Sequence, residues 1–205
     1  METVSRCFYF WLVTALLCSC GGVVSGQDYW NGIVGVEAAG GRGTGFAVAA
    51  SDSRVEVWTA GHVTGPVGSP AIVVFSGGRK ATGVVARRKY NAKGDGPDRA
   101  KIICDRPDGD VQTIPVCVGG CGVSDLSFFA GYSMGPETQR QVQIKMTPAE
   151  PFPSRVTARP APDSGDSGGP VINSDGVVVG VVTQRTVERF PRLLFIPISK
   201  WVNDD

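Results

Sequence analysis

One serine in this 205-residue chain sits where a nucleophile would need to sit, in Gly165-Asp166-Ser167-Gly168-Gly169-Pro170. Its glycines let the backbone pass close behind Ser167 and aim several N–H groups at one point, which a nucleophilic hydroxyl and an oxyanion site both require. A hydroxyl is a weak nucleophile until a base takes its proton. The chain has a single histidine, His62, in Thr59-Ala60-Gly61-His62-Val63. Read as G-x-S-x-G, the serine motif would suit a strand-to-helix elbow whose acid and base follow the serine, and that arrangement needs a histidine after Ser167. None follows it. What remains is the order histidine, carboxylate, serine, set against the bland alternative of a glycine-rich turn with a surface serine and an unrelated histidine.

Together these two segments resemble the chymotrypsin-fold serine proteases. The resemblance implies an all-β fold of two packed six-stranded antiparallel β-barrels with the active site in the cleft between them. It implies that Ser167 attacks a peptide carbonyl, that His62 takes its proton and returns it to the leaving amine, and that an acyl-enzyme forms on the way. Neutral imidazole is then the working base. The oxyanion hole would be the backbone N–H groups of Gly165 and Ser167, with Asp166 shaping the turn between them. The third member has several candidates: Asp95, Asp98, Asp105, Asp108, Asp110 and Asp125. Asp98 is chosen because Asp98-Arg99-Ala100-Lys101-Ile102-Ile103 is similar to the family's Asp-x-Ala-x-Leu, in which the acid begins a strand. Arg99 and Lys101 depart from the apolar neighbours usual there, and Asp95, in Gly94-Asp95-Gly96, is the second choice.

Within the family the chain is more similar to the bacterial-type members, including the HtrA-type proteases, than to trypsin. Gly43-Thr44-Gly45-Phe46, Gly131-Tyr132-Ser133-Met134-Gly135 and Phe195-Ile196-Pro197-Ile198 carry that likeness, which covers residues 33–202. HtrA-type chains usually have asparagine before the serine and carry PDZ domains; here Asp166 stands there, and no PDZ domain is expected. Asp166 matches trypsin, whose carboxylate pairs with a freed N-terminal isoleucine. Ile33-Val34-Gly35 is not assigned that role, because only a short segment separates it from the Gly43 strand. In trypsin-like enzymes the base of the S1 pocket lies six residues before the nucleophile, which here is Ala161. It offers no charge, so cleavage after lysine or arginine is disfavoured and small or medium apolar residues are expected before the scissile bond. The pocket wall and the strand that pairs with substrate are expected from Val182-Thr183-Gln184-Arg185, with Arg185 as a rival attraction for acidic side chains.

Composition fits this reading. Lysine plus arginine number 20 against 19 acidic residues, a net charge of +1 that points to no nucleic acid or anionic membrane partner. The densest basic run, Arg87-Arg88-Lys89, reads as a solvated strand end. Residues 1–26 read as a signal peptide: Arg6 precedes an apolar run over residues 7–20, and Val24-Ser25-Gly26 offers small residues before Gln27. Leu17-Cys18-Ser19-Cys20 resembles a lipobox, which would make Cys20 a lipid-modified N-terminus, although Cys18 is atypical there. Ordinary cleavage is preferred, with an uncleaved anchor as the third reading, giving a secreted or envelope protein with no integral membrane span in the mature chain. The remainder divides at residues 27–112 and 113–205 into an N-terminal and a C-terminal barrel. In an exported chain Cys117 and Cys121 can close a small disulfide loop, whereas Cys104, on a strand face with Ala100 and Ile102, reads as a buried free thiol. With the only histidine assigned, no metal and no cofactor are expected.

Alternation and turn residues predict strands over residues 33–37, 44–48, 54–59, 71–75 and 81–86, then from Asp98, with a hydrophilic loop over residues 91–97. A second set is predicted at Thr113-Ile114-Pro115-Val116, residues 126–132, 140–146, 171–173, 177–183 and 193–198, with a closing helix over residues 199–205 that leaves no room for an appended module. The proline-rich stretch over residues 148–162 reads as a shaped loop rather than a strand. The partner expected is a polypeptide substrate. Two competitors differ in class: a catalytically silent relative that binds extended peptides by β-strand addition, and an esterase on another fold.

Overall fold

Valine, isoleucine and threonine recur at alternate positions from residue 33 onward, and β-branched side chains pack well on a pleated surface. The computed structural model describes residues 28–91, 97–117, 126–129, 142–145, 156–158, 163–173, 175–185 and 193–198, and only the backbone course at 28–29, 126–129, 142–145, 156–158, 184–185 and 193. β1 (Ile33–Ala38), β2 (Gly41–Ala50), β3 (Arg54–Thr59), β4 (Pro70–Val74), β5 (Lys80–Tyr90) and β6 (Asp98–Asp105) close into an antiparallel barrel in the order β1-β2-β3-β6-β5-β4. β7 (Leu126–Phe129), β8 (Val142–Lys145), β9 (Val156–Ala158), β10 (Pro170–Asn173), β11 (Val178–Arg185) and β12 (Leu193–Pro197) form a six-stranded antiparallel sheet in the order β8-β7-β10-β11-β12-β9. Counted from its own first strand, this is the order of the barrel opened between its second and third strands. One topology is used twice.

The period of two explains how β1 to β3 bury both faces. Val34, Val36, Ala47, Val55 and Val57 fill the barrel with Val73, Phe75, Val85 and Ile102. Their neighbours Ile33, Phe46 and Trp58 point the other way, into a second cluster with Ile172, Val178, Val181, Ile196 and Ile198 of the C-terminal sheet. Phe46 meets Trp58 edge-on, with ring centroids 6.2 Å apart. Burying a large apolar side chain contributes roughly 1.5–3 kcal/mol, so this shared cluster holds the two halves together.

Two local expectations are corrected. Thr113-Ile114-Pro115-Val116 is not a strand. The Ile114 N–H donates to Ala47 O on β2 at 2.8 Å, while Val116 makes a single parallel bridge to Val178 on β11. The segment is a connector tied to both sheets, and Pro115 has no N–H with which to extend a ladder. The stretch over residues 148–162 does contain a strand, β9, paired through Val156, Thr157 and Ala158 with Phe195, Leu194 and Leu193. It lies at the sheet edge, where flanking prolines remove no ladder bond from a central position. The basic run does lie at a strand end, with Arg87 and Lys89 exposed and Arg88 half-buried; β5 reaches Tyr90 and carries a register shift between Val85 and Arg87. The expected closing helix and residues 1–26, with Cys20, lie outside the described residues, as do Cys121 and the Gly131–Gly135 motif.

Candidate active site

β3 ends at Thr59, and the chain turns through Ala60 into a single 3₁₀ turn, Gly61–Val63, that carries His62. β6 pairs with β3 only as far as Ala100 opposite Thr59, so Asp98 projects past the end of its neighbour, beside that turn. Both of its carboxylate oxygens are used there. Oδ1 accepts the His62 backbone N–H at 2.8 Å, and Oδ2 lies 2.8 Å from His62 Nδ1. An ionised carboxylate only accepts hydrogen bonds, so the ring proton belongs on Nδ1 and the Nε2 lone pair is left available. Asp98 is 5% exposed and the imidazole 31%. The acid is thus shielded from water while the ring keeps an open edge. Asp95, the second choice, lies outside the described residues.

The serine turn reaches this corner by close approach. Gly168 has φ +89, and a Cβ there would fall 2.1 Å from Thr44 O, 2.2 Å from Thr59 Oγ1 and 2.8 Å from Ala60 N. Only a residue without a side chain lets the turn lie against the strand that leads to His62. The Thr44 N–H donates to Ser167 O at 2.8 Å, and the Gly168 N–H donates to Val182 O at 2.7 Å. Ser167 is half-buried, and its hydroxyl donates to Thr183 O at 3.2 Å. Gly165 is also left-handed, with φ +98, and its carbonyl accepts the Thr44 hydroxyl at 2.6 Å. Asp166 is 4% exposed, and its Oδ2 accepts the backbone N–H of Asp163 at 2.7 Å. Its carboxylate therefore braces the turn it belongs to. Ile33 is fully buried within β1, paired with Phe46.

Of the expected substrate residues, Val182 is fully buried, and its N–H and carbonyl are engaged by Gly169 and Gly168 of the serine turn. Thr183 sits at a register shift between Val182 and Gln184 in the β11–β12 pairing, the kind of bulge that re-aims a backbone group. Its hydroxyl donates to Leu194 O at 3.2 Å, and its carbonyl faces Ser167. Gln184 and Arg185 continue β11 opposite Leu194 and Leu193, and Ala161 lies outside the described residues. Cys104 is a buried free thiol, 3.7 Å from Val55 O, and burial, with Asp105 adding to it, pushes its pKa from 9.0 to about 11. Cys117 is buried as well.

Sequence reasoning missed four residues of this corner. Arg88 donates from Nε to Gly61 O at 2.9 Å and lies 4.8 Å from the Tyr90 ring centroid, and that ring is 6.3 Å from the His62 ring. The register shift in β5 turns both toward the histidine, which strict alternation does not foretell. Thr44 and Thr59 are the other two. The signal for Thr44 was at hand, a lone hydroxyl between two glycines in the segment preceding His62.

No curated protein sequence matches the chain. Among solved structures, a serine endoprotease from Yersinia pestis superposes with a TM-score of 0.66 at 17% identity, over 87% of this chain and 65% of that one, so the chain spans less than two thirds of its length. The Rv3671c protease in an inactive form gives a TM-score of 0.65 at 19% identity, covering 86% of this chain and 87% of that one. A serine-to-alanine mutant of Rv3671c from M. tuberculosis H37Rv gives 0.64 at 19% identity, over 85% of each chain. At these identities the likeness is one of fold. The Trypsin family model matches residues 36–202, a span that holds both sheets apart from the first three residues of β1, together with His62, Asp98 and the serine turn, and the chain belongs to the trypsin family of serine proteases.

Proposed function

We propose that the protein is a serine endopeptidase working through His62, Asp98 and Ser167. The observation that carries this reading is the double engagement of Asp98, which holds the backbone of His62 with one oxygen and its Nδ1 with the other. A carboxylate used in this way fixes both the position and the tautomer of the imidazole and stabilises the cation formed during the reaction. The Ser167 hydroxyl turns from Thr183 O toward Nε2 and gives up its proton as Oγ bonds to the substrate carbonyl carbon. The C–N bond then breaks, the proton passes from Nε2 to the departing amine, and an ester on Ser167 remains. Water repeats the sequence: its proton goes to Nε2, its oxygen bonds to the acyl carbon, and the bond to Oγ breaks as the proton passes from Nε2 to Oγ, restoring the serine and the neutral imidazole. In both halves the negative oxygen is received by the N–H groups of Gly165 and Ser167, in a turn held by Asp166.

Substrate in this reading lies along the end of β11, at Thr183, Gln184 and Arg185, with Val182 supporting the turn beneath. Ala161 at the pocket base selects small or medium apolar residues before the scissile bond, and Tyr90 offers a second apolar wall beside His62. We also place the mature protein outside the cytoplasm, cleaved before Gln27, with a Cys117–Cys121 disulfide. A peptide-library profile of the mature protein tests the function. Cleavage after apolar residues, absent in Ser167→Ala, is expected; dominant cleavage after lysine or arginine would overturn the pocket reading. Retention of extended peptides without any cleavage would replace the enzyme with a silent binding module.

A further inference from the structure

Thr44 is fully buried and tied at three points to the two segments that matter. Its N–H donates to Ser167 O at 2.8 Å, its hydroxyl to Gly165 O at 2.6 Å, and its carbonyl accepts the Thr59 hydroxyl at 2.6 Å. We propose that Thr44 is a positioning residue for the oxyanion site, its hydroxyl fixing the Gly165–Asp166 peptide. The proposal rests on the reading of Ser167 as nucleophile. Gly165 adopts φ +98, where no Cβ restrains the backbone, so its conformation must be held by neighbours. A carbonyl anchored by a buried donor cannot rotate without leaving that donor and acceptor unsatisfied. The N–H groups flanking this carbonyl, those of Gly165 and Ser167, are the two proposed to receive the oxyanion. Thr59 extends the same device to the histidine side: three residues before His62, it holds the carbonyl of the residue that holds the turn. The serine turn and the histidine segment are both tied to one residue, Thr44, through its hydroxyl and its backbone groups.

Thr44→Val tests this, since it keeps the shape and burial of the side chain and deletes the donor. For a peptide ester, kcat should fall about 10- to 100-fold with KM within about twofold, because the lost interaction acts on the transition state. Affinity for a peptide boronate, whose tetrahedral adduct on Ser167 occupies the oxyanion site, should fall by a similar factor. Thr44→Ser, which retains the hydroxyl, should recover most of both. Thr44→Ala deletes the donor with less demand for space and replaces Thr44→Val if circular dichroism shows that variant unfolded. Unchanged kcat and boronate affinity in the hydroxyl-free variant would overturn the proposal. So would Thr44→Ser as impaired as Thr44→Val, which would make the residue a packing element, or a loss confined to KM. A wild-type protein that neither hydrolyses the ester nor binds the boronate would sink the peptidase reading and this proposal with it; an active wild type matched by Thr44→Val would sink this proposal alone.

Discussion

Gly168→Ala makes two demands on the serine turn at once, and the structure separates them. The residue has φ +89, a conformation that costs alanine about 1–2 kcal/mol. A methyl there would also fall 2.1 Å from Thr44 O and 2.2 Å from Thr59 Oγ1, about 1 Å inside ordinary contact. Both threonines are fully buried, so neither can swing away, and forcing room in such a place costs a further 1–3 kcal/mol or so. The sum, about 2–5 kcal/mol, corresponds to a melting temperature lowered by about 4–20 °C in a chain of this size. Activity should suffer more, because moving catalytic groups by about 1 Å can cost about 100-fold in rate. Gly176 is the control: its φ is +77, and an added Cβ meets nothing within 4 Å. Gly176→Ala should pay only the conformational cost, about 1–2 kcal/mol, and keep kcat/KM within about twofold. Thermal denaturation and ester hydrolysis on both variants provide the measurement. If Gly168→Ala behaves like Gly176→Ala in both assays, the packing of the turn against Thr44 and Thr59 is wrong.

Asp98→Asn should preserve the fold and lower kcat about 10³- to 10⁴-fold, because the amide oxygen satisfies the His62 N–H while its NH₂ faces Nδ1 and drives the ring proton to Nε2; full activity would remove Asp98 from the mechanism. Burial raises the Cys104 thiol to about 11 from 9.0, so on unfolding the thiol ionises more easily than in the native state. Its contribution is therefore complete below about pH 9 and is lost as the pH rises toward 11, on the order of 2–3 kcal/mol. Denaturant midpoints at pH 8 and pH 11 should draw together in Cys104→Ala, and an unchanged difference would refute the assignment. Mass spectrometry of exported protein should find an N-terminus near Gln27 and Cys117 joined to Cys121; diacylglycerol on Cys20 would replace signal-peptide cleavage with lipoprotein processing.

The strands of the first barrel were legible because each has one face inside it, and alternation marks that face in β4 and β5, where Ala71, Ala81 and Val85 are buried between exposed neighbours. Asp98 was legible too, since an acid heading Ala100 and Ile102 on the inward face of β6 reads as a strand start. What escaped depends on contacts between distant segments. Pairing with β12 makes β9 a strand against the preference of its flanking prolines, and the demands of two sheets on Ile114 and Val116 prevent one at residues 113–116. A bulge breaks the period that would have sent Arg88 and Tyr90 outward. The hydroxyl of Thr44 finds its acceptor 121 residues away, a distance that no local pattern encodes.

In the proposed mechanism Ser167 is a nucleophile activated by a His62 that Asp98 holds in place. Incubating the purified protein with a fluorophosphonate and mapping the adduct by peptide mass spectrometry tests it most directly. One adduct is expected, on Ser167, in wild-type protein, and essentially none in Ser167→Ala or His62→Ala. An adduct on another serine, or undiminished labelling in His62→Ala, would contradict it.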